Sequence, residues 1–328
     1  MNGLYPLKFN PIFLKKIWGN GKRLEKLLEK NLNNFPDCGE SWELSTTEGH
    51  FSEVRNGFLA GNNLSELIEV YMGDLVGDRI YDKFGLDFPL LFKFIDTGDD
   101  LSIQVHPGDE TALMRHNAYG KTEMWYVVDA GEGALINLGF NRDVTRDQYL
   151  KYLEDAALPE ILYYGEVSAG DVLFIPPGRV HAIGKGILLA EIQQASDLTY
   201  RIFDYNRKDE QGNLRELHNH YAVDIIDFKK TEKFTIDYTP EDNTPSELIS
   251  CNYFTVNLIV LSKPIERDNN KIDSFVVYMT IKGKFIIEYE GGTVEVSTGE
   301  TVLIPASLEY IRLTPLTEGV KILETYIP

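Results

Sequence analysis

The feature that most constrains the fold of this chain is a series of short strand-like segments separated by turn residues. Residues 101–106 alternate apolar and polar side chains, which is the pattern of a strand with two different faces. Apolar runs of strand length also cover residues 88–95, 123–128 and 172–175, with glycine and proline between them. Many short strands with this punctuation favour a mainly β sandwich or barrel of the jelly-roll kind.

Two segments have the spacing of amphipathic helices. Residues 64–75 place their large apolar side chains on one stripe. Residues 145–157 do the same, and Thr145 is suited to cap the N-terminus of that helix. The sequence therefore predicts a few helices added to a β fold.

A polar, proline-containing stretch around residues 229–247 has the composition of a linker, and the strand pattern resumes after it. We therefore predict two domains, residues 1–232 and residues 233–328. A weak internal repeat supports this division, because residues 170–177 resemble residues 299–306.

The repeat also suggests what the second domain lacks. Continuing its register places Tyr310 opposite His181. Counting back from the similar turns at residues 131 and 283 places Phe275 opposite Glu123. The second domain would then have lost polar residues where the first domain has them.

The charge balance excludes several classes of partner. The chain has 32 Lys and Arg against 51 Asp and Glu, a formal net charge of −19, whereas nucleic-acid and anionic-membrane surfaces need basic patches. Its apolar runs are far shorter than the roughly 20 residues that span a bilayer. Cys38 and Cys251 form no CxxC pair, and the N-terminal segment lacks the apolar core of a signal peptide. We expect a soluble, cytoplasmic protein that binds neither nucleic acid nor membranes.

Four residues of metal-ligating type lie on or beside the predicted strands. Gln104 and His106 share one face of their strand, Glu123 begins another, and His181 follows a Pro-Pro-Gly turn. One amide, two imidazoles and one carboxylate suit Zn²⁺ or a similar divalent ion with an open position. Two alternatives remain open: each histidine is a hydrogen-bonded strand residue, and Glu123 is a salt-bridge partner of Lys121.

A second pair of imidazoles, His218 and His220, has the same i, i+2 spacing. Its surroundings are polar and charged, so we consider it the weaker candidate for a site.

Around the four ligand-type residues the sequence resembles the type I mannose-6-phosphate isomerases of the cupin superfamily. The resemblance covers about the first two-thirds of the chain, and no large helical domain fits between Glu123 and His181, which is typical of the compact bacterial form. The matching stretches are residues 39–45, 88–107, 120–125, 176–182 and 191–207.

The resemblance implies a fold of two cupin-like jelly rolls with a few added helices, the second jelly roll being degenerate. It implies one zinc ion per chain and a sugar phosphate substrate. The implied zinc ligands are Gln104, His106, Glu123 and His181. The implied catalytic residues are Arg201 and Lys121, and the implied substrate-binding residues are Trp18, Ser102, Glu191 and Arg207.

The implied reaction interconverts mannose 6-phosphate and fructose 6-phosphate through a cis-enediol. The base that moves the proton stays open among Glu191, Lys121, metal-bound water and His181, the last only if it is not a ligand. A metal-dependent cupin oxygenase and a non-catalytic sugar-phosphate-binding cupin are the alternative functions. We expect a monomer or a homodimer.

Overall fold

A computed structural model describes residues 3–33, 35, 37–47, 49–208 and 211–328. Within these ranges the chain forms 23 strands and six helices, so the predicted mainly β fold is confirmed. The strands are β1 Leu7–Lys8, β2 Ile12–Lys15, β3 Cys38–Leu44, β4 Thr46–Thr47, β5 His50–Phe51, β6 Leu90–Asp96, β7 Ile103–Val105, β8 Glu123–Ala130, β9 Leu135–Phe140, β10 Leu162–Glu166, β11 Val172–Ile175, β12 His181–Ile183, β13 Ile187–Gln194, β14 Tyr200–Phe203, β15 Ser246–Ser250, β16 Thr255–Leu261, β17 Ile265–Asp268, β18 Val276–Lys282, β19 Lys284–Tyr289, β20 Gly292–Ser297, β21 Thr301–Ile304, β22 Tyr310–Pro315 and β23 Val320–Tyr326. The helices are α1 Lys22–Leu28, α2 Leu64–Val76, α3 Asp78–Phe84, α4 Asp109–His116, α5 Arg146–Glu154 and α6 Asn219–Ala222.

Two antiparallel sheets face each other in the first part of the chain. One has the strand order β11-β8-β13-β6-β3-β2, and the other has the order β10-β9-β12-β7-β14. Apolar side chains from both sheets meet between them, among them Trp125, Leu173, Ile136 and Ile183. A site inside the first sandwich must therefore be formed by side chains that point into this shared interior.

A second pair of sheets follows with a corresponding strand order. β21-β18-β23-β16-β15 repeats the order of β11-β8-β13-β6-β3, and β17-β22-β19-β20 repeats that of β7-β12-β9-β10. The short strand β1 also joins the second pair, because Leu7 lies opposite Leu303 of β21. The N-terminal strand thus crosses the boundary predicted at residues 232 and 233, and the division into two domains stays a prediction.

The strand register corrects one of the two positions inferred from the internal repeat. Ile175 lies opposite Glu123, and its repeat counterpart Ile304 lies opposite Val276. The counterpart of Glu123 is therefore Val276 and not Phe275, because a one-residue slip turns a strand side chain to the other face.

The other inferred position shifts by one residue as well. Ile311 lies in the interior of the second sandwich and opposite Arg267, whereas Tyr310 is 60% exposed. The inward counterpart of His181 is therefore Ile311. One position had been counted back from a turn and the other had been continued across one, and turn lengths do not fix the face that a strand residue occupies.

The two helices predicted from periodicity are confirmed. Asn63 and Glu66 form a capping box at the start of α2. Thr145 caps α5 as predicted, and Gln148 completes a second capping box there. Tyr149 of α5 packs on the outer face of the sheet that contains β7, so this face is closed to solvent.

Strand β7 is shorter than the predicted alternating segment. Ile103 and Val105 face outward into the cluster under α5, as the alternation predicts. Leu101 precedes the strand and packs in the sandwich interior instead. Among the described residues, no helix combines the length and apolarity needed to cross a membrane.

Candidate active site

Three strand ends bring His106, Glu123 and His181 together inside the first sandwich. Glu123 begins β8, His181 begins β12, and His106 directly follows β7. The Nε2 of His181 lies 3.4 Å from Glu123 Oε1, and the Nε2 of His106 lies 3.7 Å from Glu123 Oε2. All three side chains are buried, and one donor atom from each lies within 4.8 Å of the others. The structure thus places three of the predicted ligands in one cluster.

The backbone orients both imidazoles toward this cluster. His106 Nδ1 lies 2.9 Å from the carbonyl oxygen of Leu198, and His181 Nδ1 lies 2.9 Å from that of Arg179. A carbonyl oxygen only accepts hydrogen bonds, so each Nδ1 carries the proton and each Nε2 presents its lone pair inward. Such a second hydrogen bond is the usual means of orienting a metal-bound histidine.

Burial keeps both rings neutral. It lowers the pKa of His181 to about 3, although the bond to Arg179 opposes the shift. It also lowers the pKa of His106 well below its usual value, and the nearby Lys121 and His181 add to this shift. Two neutral imidazoles with inward lone pairs are the form in which histidine binds a metal ion.

Glu123 is a buried carboxylate without adequate partners. Burial raises its pKa to about 7, outweighing the lowering effect of Lys121. Lys121 Nζ lies 3.1 Å from Oε2, yet neither carboxylate oxygen accepts a well-directed hydrogen bond from a described residue. Such orphaned oxygens are costly in a protein interior, and a cation among the three donors would satisfy them. The cluster therefore fits a divalent metal ion.

Gln104, the fourth predicted ligand, lies next to the cluster. In the sheet it lies opposite His181 on one side and opposite Arg201 on the other. Its amide Nε2 is 3.3 Å from His181 Nε2. Rotating the amide group by 180° would exchange its nitrogen and oxygen, so that Oε1 faced His181 Nε2. The oxygen is the atom through which this side chain ligates a metal ion.

A cavity of about 190 Å³, partly open to solvent, lies beside the cluster and between the two sheets. Most of its lining side chains are polar or charged. They include Lys16, Trp18, Glu40, Lys93, Ser102, Gln104, Lys121, Trp125, Glu191, Asp197, Thr199, Arg201 and Arg215.

Both predicted catalytic residues, Lys121 and Arg201, line this cavity. Lys121 is buried, and its Nζ donates to His106 Nε2 at 3.1 Å. Arg201 is half-buried and donates from Nη1 to the carbonyl oxygen of Glu216 at 2.9 Å. Both cations therefore border the space in which a ligand would meet the cluster.

The structure brings three of the four predicted substrate-binding residues to the cavity. Trp18, Ser102 and Glu191 line it. Arg207 is absent from the lining side chains that the structure describes. It donates from Nη2 to Asp204 at 2.6 Å and from Nη1 to the backbone oxygen of Asp100.

Sequence reasoning missed a buried charge network on the cavity wall. Lys93 Nζ lies 3.3 Å from Glu191 and 3.9 Å from Glu40. Each carboxylate also accepts a hydrogen bond from a tryptophan indole: Trp125 donates to Glu191 at 2.8 Å, and Trp42 donates to Glu40 at 2.6 Å. The signal was present, because Lys93 interrupts an otherwise apolar strand.

Two charges in this network, Glu40 and Lys93, hold each other ionised. Burial raises the pKa of Glu40, but Lys93, Lys16 and the bond from Trp42 outweigh it and bring the value to about 2. Burial lowers the pKa of Lys93, but Glu40 and Glu191 outweigh it and the net shift is upward. Glu40 and Lys93 therefore present fixed, paired charges to a ligand.

Comparison with known proteins finds family matches in two parts of the chain. Residues 7–136 match the model of the type I phosphomannose isomerase catalytic domain, and residues 244–319 match that of the mannose-6-phosphate isomerase cupin domain. The chain is 36% identical to "Mannose-6-phosphate isomerase ManA" of Bacillus subtilis, over 95% of this chain and 97% of that protein. It is 33% identical to the mannose-6-phosphate isomerase of Streptococcus mutans, over 91% and 93%.

Solved structures give the same result at the level of the fold. The crystal structure of the mannose 6-phosphate isomerase from Bacillus subtilis superimposes with a TM-score of 0.87 and 28% identity, covering 98% of this chain and 99% of that one. A variant of the Salmonella typhimurium phosphomannose isomerase shares the fold at 14% identity and a TM-score of 0.81, over 99% and 100%. The chain belongs to the type I phosphomannose isomerases.

Proposed function

We propose that the protein is a zinc-dependent aldose–ketose isomerase that interconverts mannose 6-phosphate and fructose 6-phosphate through a cis-enediol. The observation that carries this proposal is the buried cluster of His106, Glu123 and His181 beside a cavity bordered by Lys121 and Arg201. Ligands for a divalent cation and cations for an anionic sugar phosphate thus lie side by side.

His106, Glu123 and His181 would hold the metal ion, with Gln104 as the fourth ligand. Two nitrogens and two oxygens form a borderline donor set that suits zinc and leaves room for water or substrate. When bound, a divalent ion polarises sugar oxygens and lowers the pKa of coordinated water.

Lys121 and Arg201 would stabilise the negative charge that develops on the sugar oxygens as the proton leaves carbon. Preorganised cations in a water-poor site act most strongly on charge that appears only in the transition state. Arg201 lies opposite Gln104 in the sheet, and Lys121 contacts His106 and Glu123 of the cluster. The sugar C1–C2 end would therefore lie near Gln104.

The proton shuttle requires a group that faces the cavity and can exchange a proton. Among the chain's own groups, Glu191 and Lys121 line the cavity and meet this requirement. His181 is the weaker choice, because its inward nitrogen faces Glu123 within the cluster. Trp18 and Ser102 would contact the bound sugar phosphate, and Arg207 stays a prediction as a substrate residue.

The division into a catalytic domain, residues 1–232, and a degenerate domain, residues 233–328, is part of the proposal. Its support is that Val276 and Ile311, which cannot ligate a metal, stand in the second sandwich where Glu123 and His181 stand in the first. Cytoplasmic localisation and a monomeric or homodimeric state stay predictions.

A coupled assay with mannose 6-phosphate tests the function on the purified full chain. We expect fructose 6-phosphate to form, dialysis against EDTA to abolish turnover, and Zn²⁺ to restore it. The rate should be the same under argon and in air, which separates the isomerase from a cupin oxygenase. Binding of mannose 6-phosphate without turnover by the zinc-loaded protein would instead support the non-catalytic alternative.

A further inference from the structure

Arg215 lies in the cavity wall beside Arg201, although the sequence did not single it out. The segment that carries it follows the edge of β14 remote from β7. Arg201 N donates to His218 Nδ1 at 3.1 Å, and His218 N donates to the Arg201 carbonyl at 2.7 Å. Because Gln104 lies opposite Arg201 on the other side of β14, His218 and the segment that carries Arg215 lie one strand position farther from Gln104 than Arg201 does.

Asp204 fixes the guanidinium of Arg215 with two hydrogen bonds. Arg215 Nε donates to Oδ2 at 2.7 Å, and Nη2 donates to Oδ1. The same carboxylate accepts from Arg207, and it is buried. Burial raises the pKa of Asp204, but the bonds from Arg215 and Arg207 outweigh it, so the net shift is downward. Two-pronged pairing of this kind sets the plane as well as the position of a guanidinium.

Arg201, Arg215 and their neighbour Arg207 outnumber the carboxylates that form ion pairs with them. Asp204 is shared by Arg207 and Arg215, and Arg207 has a second, mostly exposed partner in Asp99 at 3.8 Å. Arg201 has no carboxylate within ion-pair distance among the described residues, and its buried Nε finds no hydrogen-bond partner there.

The opposite wall is balanced, because Lys16 and Lys93 are paired there with Glu40 and Glu191. Asp197 also lines the cavity but forms no ion pair with Arg201 or Arg215 among the described residues, so in a chain of net charge −19 these two guanidinium groups concentrate positive charge on this side of the cavity. An anion of charge −2 is the natural complement of such a surface.

We propose that Arg215 binds the phosphate group of the substrate and that Asp204 is the positioning residue that aims it. The inference rests on the proposed function, since it assumes a sugar phosphate whose C1–C2 end lies near Gln104. In an open-chain hexose 6-phosphate, the phosphate is at the opposite end of the carbon chain. Arg201 would then act at the reacting end, and Arg215 would hold the remote end.

Steady-state kinetics of Arg215→Ala test this assignment. We expect KM for mannose 6-phosphate to rise about 10- to 100-fold, the range for losing one hydrogen-bonded partner of a charged group. The inhibition constant of inorganic phosphate should rise by a similar factor, while kcat and metal content stay close to the wild-type values. Arg215→Lys should recover part of the loss, because an ammonium supplies charge without the planar fork.

Asp204→Asn tests the positioning role in the same assay. It should raise KM and the phosphate inhibition constant with little change in kcat, whereas a purely structural role would lower the melting temperature and leave both constants unchanged.

Arg115→Ala is the matched control. Arg115 also pairs with an aspartate, Asp224, and its side chain is 28% exposed against 21% for Arg215, but it does not line the cavity. Its variant should behave as wild type.

Direct binding of inorganic phosphate, measured by calorimetry on wild type and Arg215→Lys, separates failure of this inference from failure of the proposed function. Phosphate binding that weakens in the variant supports Arg215 even if mannose 6-phosphate is not turned over. Unchanged phosphate binding and unchanged KM in both Arg215 variants would overturn the assignment. So would a wild-type protein that binds no phosphate.

Discussion

At the scale of single residues, backbone hydrogen bonds orient both histidines of the candidate metal cluster. His181→Ala should abolish metal binding and turnover together while the fold survives, because both sandwiches have apolar cores independent of the cluster. Metal content by elemental analysis and thermal unfolding by circular dichroism check this on one sample.

His220→Ala is the control for that variant, because His220 is exposed and lies outside the cluster of three. It should keep full metal content and turnover. A His181→Ala protein that retains both after dialysis against a chelator would show that His181 is not a ligand.

Arg201 should contribute far more to turnover than to stability. Removing one donor that faces developing oxyanion charge typically costs about 10²–10³ in rate, so we expect a kcat loss of that size in Arg201→Ala. Arg201→Lys should recover only part of it, since lysine lacks the planar two-pronged geometry. Metal content should be unchanged. Near-normal turnover in Arg201→Ala would place this residue outside the active site.

The sequence predicted those site residues whose signal is local. Gln104 and His106 share a face because side chains alternate along a strand, and His181 is marked by the turn before it. The resemblance to known isomerases supplied Arg201 and Glu191. Arg215 was not predicted because its role depends on Asp204, a contact made across an irregular loop that no periodicity describes.

At the scale of elements, hydrogen bonds on both sides of Lys121 hold its loop in place. Gly120 N donates to Asp109 Oδ1 at 2.9 Å, Thr122 N donates to Gln194 Oε1 at 2.9 Å, and Gln194 Nε2 donates to Asp109 Oδ1 at 2.9 Å. These bonds connect the N-terminal end of α4 to the strand ends that bear the cluster. The position of Lys121 is thus set by neighbouring elements.

Gly120 permits this close approach. A Cβ there would lie 2.5 Å from Asp109 N and 2.7 Å from the Gly108 carbonyl carbon, both rigid backbone atoms. Gly120→Ala should therefore displace the loop, lower stability by about 1–3 kcal/mol and reduce kcat through Lys121. Gly108→Ala is the matched control. Gly108 has φ −78°, and a Cβ there would meet only Pro177 at 3.5 Å. Equal melting temperatures and rates in the two variants would contradict this account.

Local sequence signals explain which helices could be predicted and which could not. Helices α2 and α5 were found because each combines an apolar stripe with a side-chain cap. Helix α1 was missed because it has only seven residues and its N-cap residue, Gly21, offers no capping side chain. Helix α4 was missed because its Leu113 and Met114 are exposed, so no apolar stripe marks it.

At the scale of the whole molecule, the two sandwiches have similar strand orders but different interiors. We expect one tightly bound divalent metal ion per chain, since Val276 and Ile311 stand where Glu123 and His181 would be needed. Elemental analysis of the full chain measures this directly. Two metal ions per chain, or one ion retained in His181→Ala, would contradict it.

The second sandwich contains a buried carboxylate, Glu324, that pairs with Arg267. Glu324, 1% exposed, lies opposite Tyr278 in the sheet, as Glu191 lies opposite Trp125 in the first sandwich. Arg267 Nε donates to Glu324 Oε1 at 2.9 Å, and Tyr278 and Asn257 also donate to this carboxylate. Both sandwiches therefore have a carboxylate at this position of the sheet. In the second sandwich its partners, Arg267, Tyr278 and Asn257, are side chains of the same sandwich.

Arg267→Met should therefore separate stability from catalysis. It leaves the buried Glu324 without its cation, and breaking such a pair typically costs about 3 kcal/mol or more. Arg312→Met is the control, because the Arg312 side chain is 49% exposed and its carboxylate partners lie 3.7 Å away, so the change should stay within about 0.5 kcal/mol. Below the melting temperature, Arg267→Met should keep wild-type metal content, KM and kcat, because Arg267 belongs to a different interior from the metal cluster. A loss of metal or of turnover in folded Arg267→Met would show that the second sandwich acts on the active site beyond supporting the fold.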